Sequence, residues 1–197
     1  MTDVQVVREG DPRCAALEAA GYVLVATSWG AHLELPDQPD LRELQPRIDS
    51  ALAAGYTVSQ LGPEWADALF ALEVLTNADY PSTPATHQSM PTREGIRNLW
   101  RENAWVFGAA RHGELVGAGA TSDRGDRIEI DFGSVHPEHR RTGVASAIAA
   151  HALLALTGMG FRRFATGGAG VNVASRATVQ ALGFRIDEVW RSYRLDS

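Results

Sequence analysis

Three strand-like segments joined by short turns constrain the fold of this chain more than any other feature of its sequence. They run from Ala104 to Ala110, from Glu114 to Thr121 and from Arg127 to Val135. The turns between them are short and contain glycine, as antiparallel hairpins require. After Pro137 the pattern changes to a helix over 143–157, with apolar residues at near-helical spacing. The sequence therefore predicts an antiparallel meander that leads directly into a helix.

Further helices and strands are predicted on both sides of the meander. The predicted helices cover 13–20, 41–54, 63–77, 93–102 and 173–182, and the predicted strands 22–27, 56–61, 162–166, 184–189 and 191–195. A long irregular loop is expected at 79–92 and a glycine-rich loop at 167–170. This order favours the α/β (α+β) class, with one mixed, mostly antiparallel central sheet flanked by helices.

Composition limits the partners of the chain. Its 197 residues are long enough for one well-buried domain, or for one domain and an arm. All 18 basic residues are arginine and the net charge is -6, so there is no basic surplus for binding nucleic acid. The single cysteine excludes an intramolecular disulfide and fits a reducing compartment. With no secretory signal and no uninterrupted apolar span, we expect a cytoplasmic monomer or homodimer that binds neither nucleic acid nor membrane.

The boundary between the last meander strand and the following helix has the features of a phosphate site. A proline turn and two arginines, Arg140 and Arg141, precede a helix that begins at a glycine. The first amides of a helix have no internal partner and lie at the positive end of its dipole. Glycine there lets a ligand approach the backbone closely. The segment indicates either a pyrophosphate site of the helix-terminus kind or an ordinary helix start with solvated arginines.

Two motifs in this order resemble the GNAT superfamily of acyl-CoA-dependent N-acetyltransferases. The family's acyl-CoA loop reads arginine or glutamine, two residues, glycine, one residue, glycine or alanine, which here is Arg140-x-x-Gly143-x-Ala145. The second motif runs from Asn172 to the glycine-aromatic pair that begins at Gly183, eleven positions later. The resemblance covers about residues 55–197 and implies the GNAT fold, with acetyl-CoA as co-substrate and no metal.

The resemblance also implies roles for individual residues. Val135 would lie where its strand splays, and its amide could stabilise an oxyanion. The second motif would bind the pantetheine arm, although Asn172 also fits a helix N-cap. The implied acetyl-CoA-binding residues are Val135, Arg140, Arg141, Thr142, Gly143, Val144, Ala145, Asn172 and Ser175.

Two acids precede the acyl-CoA loop on its strand. Glu129 and Asp131 are two residues apart, so an extended strand presents both on one face. Either could remove a proton from the acceptor amine. In the histone-acetylating branch of the family, the base is a glutamate eleven residues before the loop, the position of Glu129. Alternatively, both acids recognise a cationic substrate or pair with arginines.

One family position departs from the pattern. Many members have a tyrosine seven residues after the asparagine, where it protonates the leaving thiolate, but here that residue is Val179. Two functions therefore stay open: acetyl transfer from acetyl-CoA to a primary amine of a small molecule or peptide, or acyl-CoA binding without catalysis. For the acceptor, we expect Tyr80 and His87 in the 79–92 loop to contribute hydrogen bonds.

The remaining patterns are weaker. His136 and His139 could form a metal pair, but without further ligands they more simply flank the cofactor mouth. We expect residues 1–54 to form an N-terminal arm and 55–197 the acetyltransferase domain. The helix-glycine-aromatic ends at Gly21 and Gly183 resemble each other, so the arm is either a degenerate half-repeat of a tandem GNAT protein or similar by chance.

Overall fold

The computed structural model describes residues 4–86, 89–101 and 103–195. Within these residues the strands are β1 (Val4–Arg8), β2 (Tyr22–Glu34), β3 (Thr57–Gln60), β4 (Ala104–Arg111), β5 (Glu114–Asp123), β6 (Ile128–Val135), β7 (Arg163–Ala169) and β8 (Arg185–Leu195). The α-helices are α1 (Arg13–Ala19), α2 (Gln45–Ala53), α3 (Ala66–Thr76), α4 (Arg93–Arg97), α5 (Val144–Gly158) and α6 (Val173–Ala181). Single 3-10 turns cover Pro63–Trp65, Asn77–Asp79, Asn98–Trp100 and Pro137–His139.

The chain folds into two compact units. The described residues of one fall within 1–32, 80–89 and 166–197, and those of the other within 33–79 and 90–165. We refer to the second as the meander unit, because it contains β4, β5 and β6.

The strand order in the meander unit is β7-β6-β5-β4-β3. All pairs are antiparallel except β6 with β7, which is parallel and joins Ile128 to Phe164 and Glu129 to Ala165. This confirms the expected mixed, mostly antiparallel sheet. The β6–β7 ladder ends at these two pairs, so Val135 lies beyond it at the far end of β6.

Helices cover both faces of this sheet. On one face, a buried cluster includes Leu69 and Leu72 of α3, Ile96 of α4 and Ala118 of β5. The neighbouring Gly117 turns to the opposite face, where an added Cβ would meet the α5 side chains Ile148 and Val144 at 3.0 and 3.2 Å. Successive residues of a strand point to opposite faces, so the alternation of β5 separates α3 from α5.

A β-bulge interrupts the alternation of β6. Ala120 pairs with Phe132 and Thr121 with Ile130, which leaves Asp131 as the extra residue. An extra residue re-aims the side chains that follow it. Phe132 consequently packs on the cluster beneath α3, on the same face as Ser122, the cross-strand partner of Glu129. The bulge therefore gathers Glu129, Asp131 and Phe132 on the α3 face.

The first unit has the strand order β1-β8-β2-β7. The sequence prediction of two strands at 184–189 and 191–195 is wrong, because β8 is continuous over Arg185–Leu195. At the expected break, Trp190 pairs with Arg8 of β1 on one side and with Ser28 of β2 on the other. A ladder on each side keeps the strand extended through this position.

The glycine-rich loop expected at 167–170 is also wrong for most of its length, because β7 continues to Ala169. These glycines allow close contact with β2 instead. A Cβ added to Gly167 would lie 2.9 Å from the Trp29 carbonyl oxygen, and one added to Gly168 would lie 2.9 Å from the Trp29 ring. Glycine in a strand often marks such a close approach.

Other boundaries differ more modestly from expectation. Strand β2 extends to Glu34, α2 begins only at Gln45 and α4 ends at Arg97. Strand β1, for which the sequence made no prediction, pairs with β8 along its whole length. Within 4–86, 89–101 and 103–195, no helix is long and apolar enough to cross a bilayer.

Candidate functional site

The loop between β6 and α5 is tightly curled. After the 3-10 turn Pro137–His139, the Thr142 hydroxyl donates to the His139 carbonyl oxygen at 2.6 Å. Arg141 has a φ of 60° and Gly143 a φ of 86°, both in the left-handed region. Left-handed residues within a turn group neighbouring amides into a concavity that binds anions.

The amides of this loop are available to a ligand. Gly143 occupies the N-cap position of α5 and provides no side-chain cap, and the first intrahelical bond recorded at this end runs from Ala147 to the Gly143 carbonyl. Among the described residues, none of the amides from 141 to 146 donates to a protein acceptor. These donors lie at the positive end of a helix whose bounds are Val144–Gly158. We call the amides of residues 141–146 the amide cradle.

The space beside the amide cradle is open. A Cβ built on Gly143 would meet no atom within 4 Å. Glycine is therefore required here by its left-handed φ, not by a neighbouring protein atom. Within the described residues, no atom within 4 Å of this position blocks the approach of a ligand.

The Arg140 side chain contacts other parts of the protein. Its Nε donates to the Val135 carbonyl oxygen at 3.0 Å, and its Nη2 pairs with the Asp79 carboxylate. Arg140 thus ties the end of β6 to the turn that follows α3. A different arginine lies at the cradle: Arg47 of α2 donates to the Ser146 hydroxyl at 3.1 Å.

His136 and His139 stand before the cradle in ring contact with each other. His139 Nδ1 lies 3.0 Å from the Tyr56 hydroxyl, so this ring is held by the protein. Within the part of the chain that the structure describes, no group of three or more potential ligands could hold a metal ion.

Both acids of β6 contact arginines. The Glu129 carboxylate lies 3.5 Å from Arg127 Nε, and its side chain is 30% exposed. Asp131 accepts from the Ser122 hydroxyl at 3.0 Å and from Arg124 Nη2 at 2.9 Å. The pairing alternative considered from the sequence is therefore present in the structure, and a catalytic role for either acid stays a prediction.

Glu73 is an acid of this site that sequence reasoning missed. It lies on α3 with only 3% of its surface exposed, and the Ser134 hydroxyl donates to its carboxylate. Burial raises the pKa of Glu73 above its ordinary value, and the Ser134 hydrogen bond opposes that shift. Its signal in the sequence was a charged residue on the helix face that also carries Leu69, Leu72 and Thr76, the other buried positions of α3.

The other predicted site residues that the structure describes, Tyr80, Asn172 and Ser175, belong to the first unit. The Asn172 side chain caps α6 by accepting from the Ser175 amide at 3.1 Å, which confirms the N-cap alternative. Val179 is buried on the same helix. Tyr80 begins the 80–89 segment, and His87 lies outside the described residues. Cofactor binding by Asn172 and Ser175, and substrate binding by Tyr80 and His87, stay predictions.

Several solved structures with the same fold are described as N-acetyltransferases. The chain is similar to a GCN5-related N-acetyltransferase from Sphaerobacter thermophilus, with a TM-score of 0.70, 16% identity and coverage of 98% of this chain and 59% of that one. A tandem GNAT protein of the clavulanic acid biosynthesis pathway has a TM-score of 0.60, 18% identity and coverage of 98% and 64%. The ribosomal-protein-S18-alanine N-acetyltransferase of Escherichia coli has a TM-score of 0.57, 16% identity and coverage of 72% and 95%.

At these identities the likeness shows the fold alone, which is the expected GNAT fold. The chain spans less than two thirds of the length of the first two of these proteins. No curated protein sequence matches it. A family model does match, over residues 71–184, from within α3 to the residue before β8. Since this match covers more than half of the chain, the protein belongs to the acetyltransferase (GNAT) family.

Proposed function

We propose that the protein moves an acetyl group from acetyl-CoA to a primary amine of a small molecule or peptide, by direct attack of the amine on the thioester. The observation that carries this proposal is the amide cradle at the start of α5, in a chain of the acetyltransferase (GNAT) family. Family and fold support acyl transfer in general. The acetyl donor and the amine acceptor are the specific content of the proposal.

The cradle suits the pyrophosphate of acetyl-CoA. Amides 141–146 offer donors without protein partners in the described chain, and the open space at Gly143 permits backbone contact. Backbone donors at a helix N-terminus favour phosphate groups. Arg140 stabilises the loop through its contacts with Val135 and Asp79. Val144 and Ala145 contribute amides of the first turn of α5. In this scheme the Val135 amide lies near the reacting carbonyl, where it stabilises the oxyanion.

The acids on the α3 face suit a cationic acceptor. Glu129 and Asp131 lie on one face of β6, where each also contacts an arginine. We assign removal of the first proton from the acceptor ammonium to Glu129, with Asp131 as the recognition group. Glu129 makes the longer arginine contact of the two, 3.5 Å against 2.9 Å, and so is less firmly engaged.

A second candidate function is acyl-CoA binding without catalysis. The observation that favours it is Val179, which is buried on α6 at the position where many family members have the thiolate-protonating tyrosine. Both candidates require the amide cradle, so they differ only in turnover.

The acceptor and the organisation of the chain are part of the proposal. Tyr80 and His87 are assigned to acceptor binding, and Asn172 and Ser175 to the pantetheine arm. Residues 1–54 are assigned to an arm and 55–197 to the acetyltransferase domain, in a cytoplasmic monomer or homodimer. The similarity to a tandem GNAT protein, which covers 98% of this chain, supports a half-repeat origin of the arm.

Thiol release from acetyl-CoA across a panel of amines separates the two functions. The panel should contain aminoglycosides, polyamines and peptides with free N-termini, with enzyme-free samples as blanks. We expect amine-dependent thiol release with at least one class. Binding of acetyl-CoA without release on any amine would favour the non-catalytic function.

A further inference from the structure

Glu73 and Ser134 form a buried pair in the meander unit to which the proposed function gives no role. Glu73 is 3% exposed on α3 and Ser134 is 6% exposed on β6. The Ser134 hydroxyl donates to the Glu73 carboxylate. Ser134 directly precedes Val135, whose amide the proposed function places beside the reacting carbonyl. The Ser134 hydroxyl therefore connects the Glu73 carboxylate to the residue next to Val135.

The nitrogen of an ammonium loses two protons when it forms an amide, and the two are lost at different stages of the reaction. The first must leave before attack, because only a neutral amine is nucleophilic. The second leaves the nitrogen after the nitrogen–carbon bond forms, and the departing sulfur needs one proton. With Val179 where many family members have tyrosine, the usual donor to sulfur is replaced by an apolar side chain.

We propose that the Glu73–Ser134 pair transfers the second proton from the acceptor nitrogen to the departing sulfur; this inference rests on the proposed function. The nitrogen gives its proton to the Ser134 oxygen while Ser134 gives its own to Glu73. When the carbon–sulfur bond breaks, Ser134 protonates the thiolate and recovers a proton from Glu73. The pair ends unchanged, and no oxidant, reductant or metal is required.

Burial suits Glu73 to this exchange. A carboxyl with a raised pKa accepts a proton more readily than an exposed one and returns it within the same cycle. The acids at the mouth of the site differ, since Glu129 and Asp131 are partly exposed and contact Arg127 and Arg124. The first proton is therefore passed to the partly exposed Glu129, and the second is exchanged within the buried Glu73–Ser134 pair.

Other charged groups on the elements packed against α3 contribute to any pH profile. Four of the acids contact arginines: Asp67 pairs with Arg93, Asp79 with Arg140, Asp131 with Arg124 and Glu129 with Arg127. The full set on α3 and its packed elements is Glu64, Asp67, Asp79, Arg93, Glu94, Arg97, Glu114, Asp123, Glu129 and Asp131.

The test is the pH dependence of kcat in Glu73→Gln, measured by thiol release with an amine that supports turnover. Wild-type kcat should fall as the pH decreases through the raised pKa of Glu73, because a protonated Glu73 cannot accept. Glu73→Gln and Ser134→Ala should each lower kcat at pH 8 by about a hundredfold and remove this acidic limb. The affinity for acetyl-CoA should change little.

Thr76→Val is the matched control. Thr76 is buried on the same helix, and its hydroxyl donates to the Leu72 carbonyl oxygen at 2.9 Å, away from Ser134. This variant should keep both the wild-type kcat and the acidic limb of its pH profile. The inference is overturned if a folded Glu73→Gln has the wild-type kcat. It is also overturned if kcat falls but the acidic limb of its pH profile is unchanged. If Glu73→Gln does not fold, Ser134→Ala decides by the same criteria. Wild-type protein that turns over no amine refutes the proposed function itself.

Discussion

The two acids of β6 show how single contacts can divide roles between similar residues. Asp131 is the bulged residue and has two donors, the Ser122 hydroxyl and the Arg124 guanidinium, at 3.0 and 2.9 Å. Glu129 has the looser contact with Arg127, at 3.5 Å. A carboxylate engaged by two donors has fewer accessible lone pairs, which is why we assign proton removal to Glu129 and acceptor recognition to Asp131.

Glu129→Gln should lower turnover by about a hundredfold while leaving acetyl-CoA affinity nearly unchanged, because glutamine keeps the shape but cannot accept the proton. The acidic limb of kcat/KM should also change in this variant, because that limb reports the base of the free enzyme. Steady-state kinetics on the active amine measures both effects.

Asp131→Asn is the control for Glu129→Gln. It keeps an acceptor for the Ser122 hydroxyl and loses the Arg124 ion pair, so it should raise the KM of the amine more than it lowers kcat. The opposite pattern in the two variants would make Asp131 the base and Glu129 the recognition group.

At the scale of elements, close backbone approach decides where glycine is needed. Along β7, Gly168 lies against the Trp29 indole, whose Nε1 donates to the Ala169 carbonyl oxygen at 3.0 Å. The hydrogen bond fixes the ring, so the ring cannot move aside without losing it. The glycines that the sequence assigned to a loop are instead the reason why β7 can continue beside β2.

Gly168→Ala should therefore destabilise the protein by about 1–3 kcal/mol, because the new Cβ would lie 2.9 Å from Trp29 Cζ2. Gly158→Ala, in the last turn of α5 with no atom within 4 Å of its Cβ, should instead be neutral or stabilise by up to about 1 kcal/mol. Urea unfolding of both variants gives the two free energies. Equal stability of Gly168→Ala and wild type would show that Trp29 moves at no cost.

Local patterns explain which elements could be predicted. The meander and α5 followed from hairpin turns and helical spacing, and the Gly143 loop from its motif. The continuity of β8 could not be predicted, because it depends on partners on both sides, β1 and β2, that are far away in sequence. The β6 bulge was missed for the same reason: register depends on cross-strand pairing, and alternation alone does not reveal an extra residue.

The candidate site shows the same division between local and distant information. The amide cradle is a contiguous segment, so its residues could be found from their resemblance to the family's acyl-CoA loop. Glu73 contacts Ser134 across 61 positions of sequence, and only the packing of α3 on the sheet brings the two together. Its burial, and hence its raised pKa, has no local signature beyond one acid on an apolar face.

At the scale of the whole molecule, the family match and the cradle fall in the same part of the chain. Residues 71–184 contain β6, the loop and α5. Helix α2 lies outside this match, yet its Ile48 and Ala51 are buried and it packs against α5 in the meander unit. The segment before the family match therefore supports the helix that presents the cradle, and removing it should weaken that support.

Calorimetry of acetyl-CoA binding to wild type and Gly143→Trp measures whether the amide cradle binds acetyl-CoA. Gly125→Trp is the control, since Gly125 shares a left-handed φ and open surroundings but lies in the turn at the opposite end of β6. We predict that wild type and Gly125→Trp bind acetyl-CoA alike, and that Gly143→Trp binds at least tenfold more weakly, a loss of about 1.4 kcal/mol. Wild-type affinity in a folded Gly143→Trp, or no binding by wild type, would contradict this prediction.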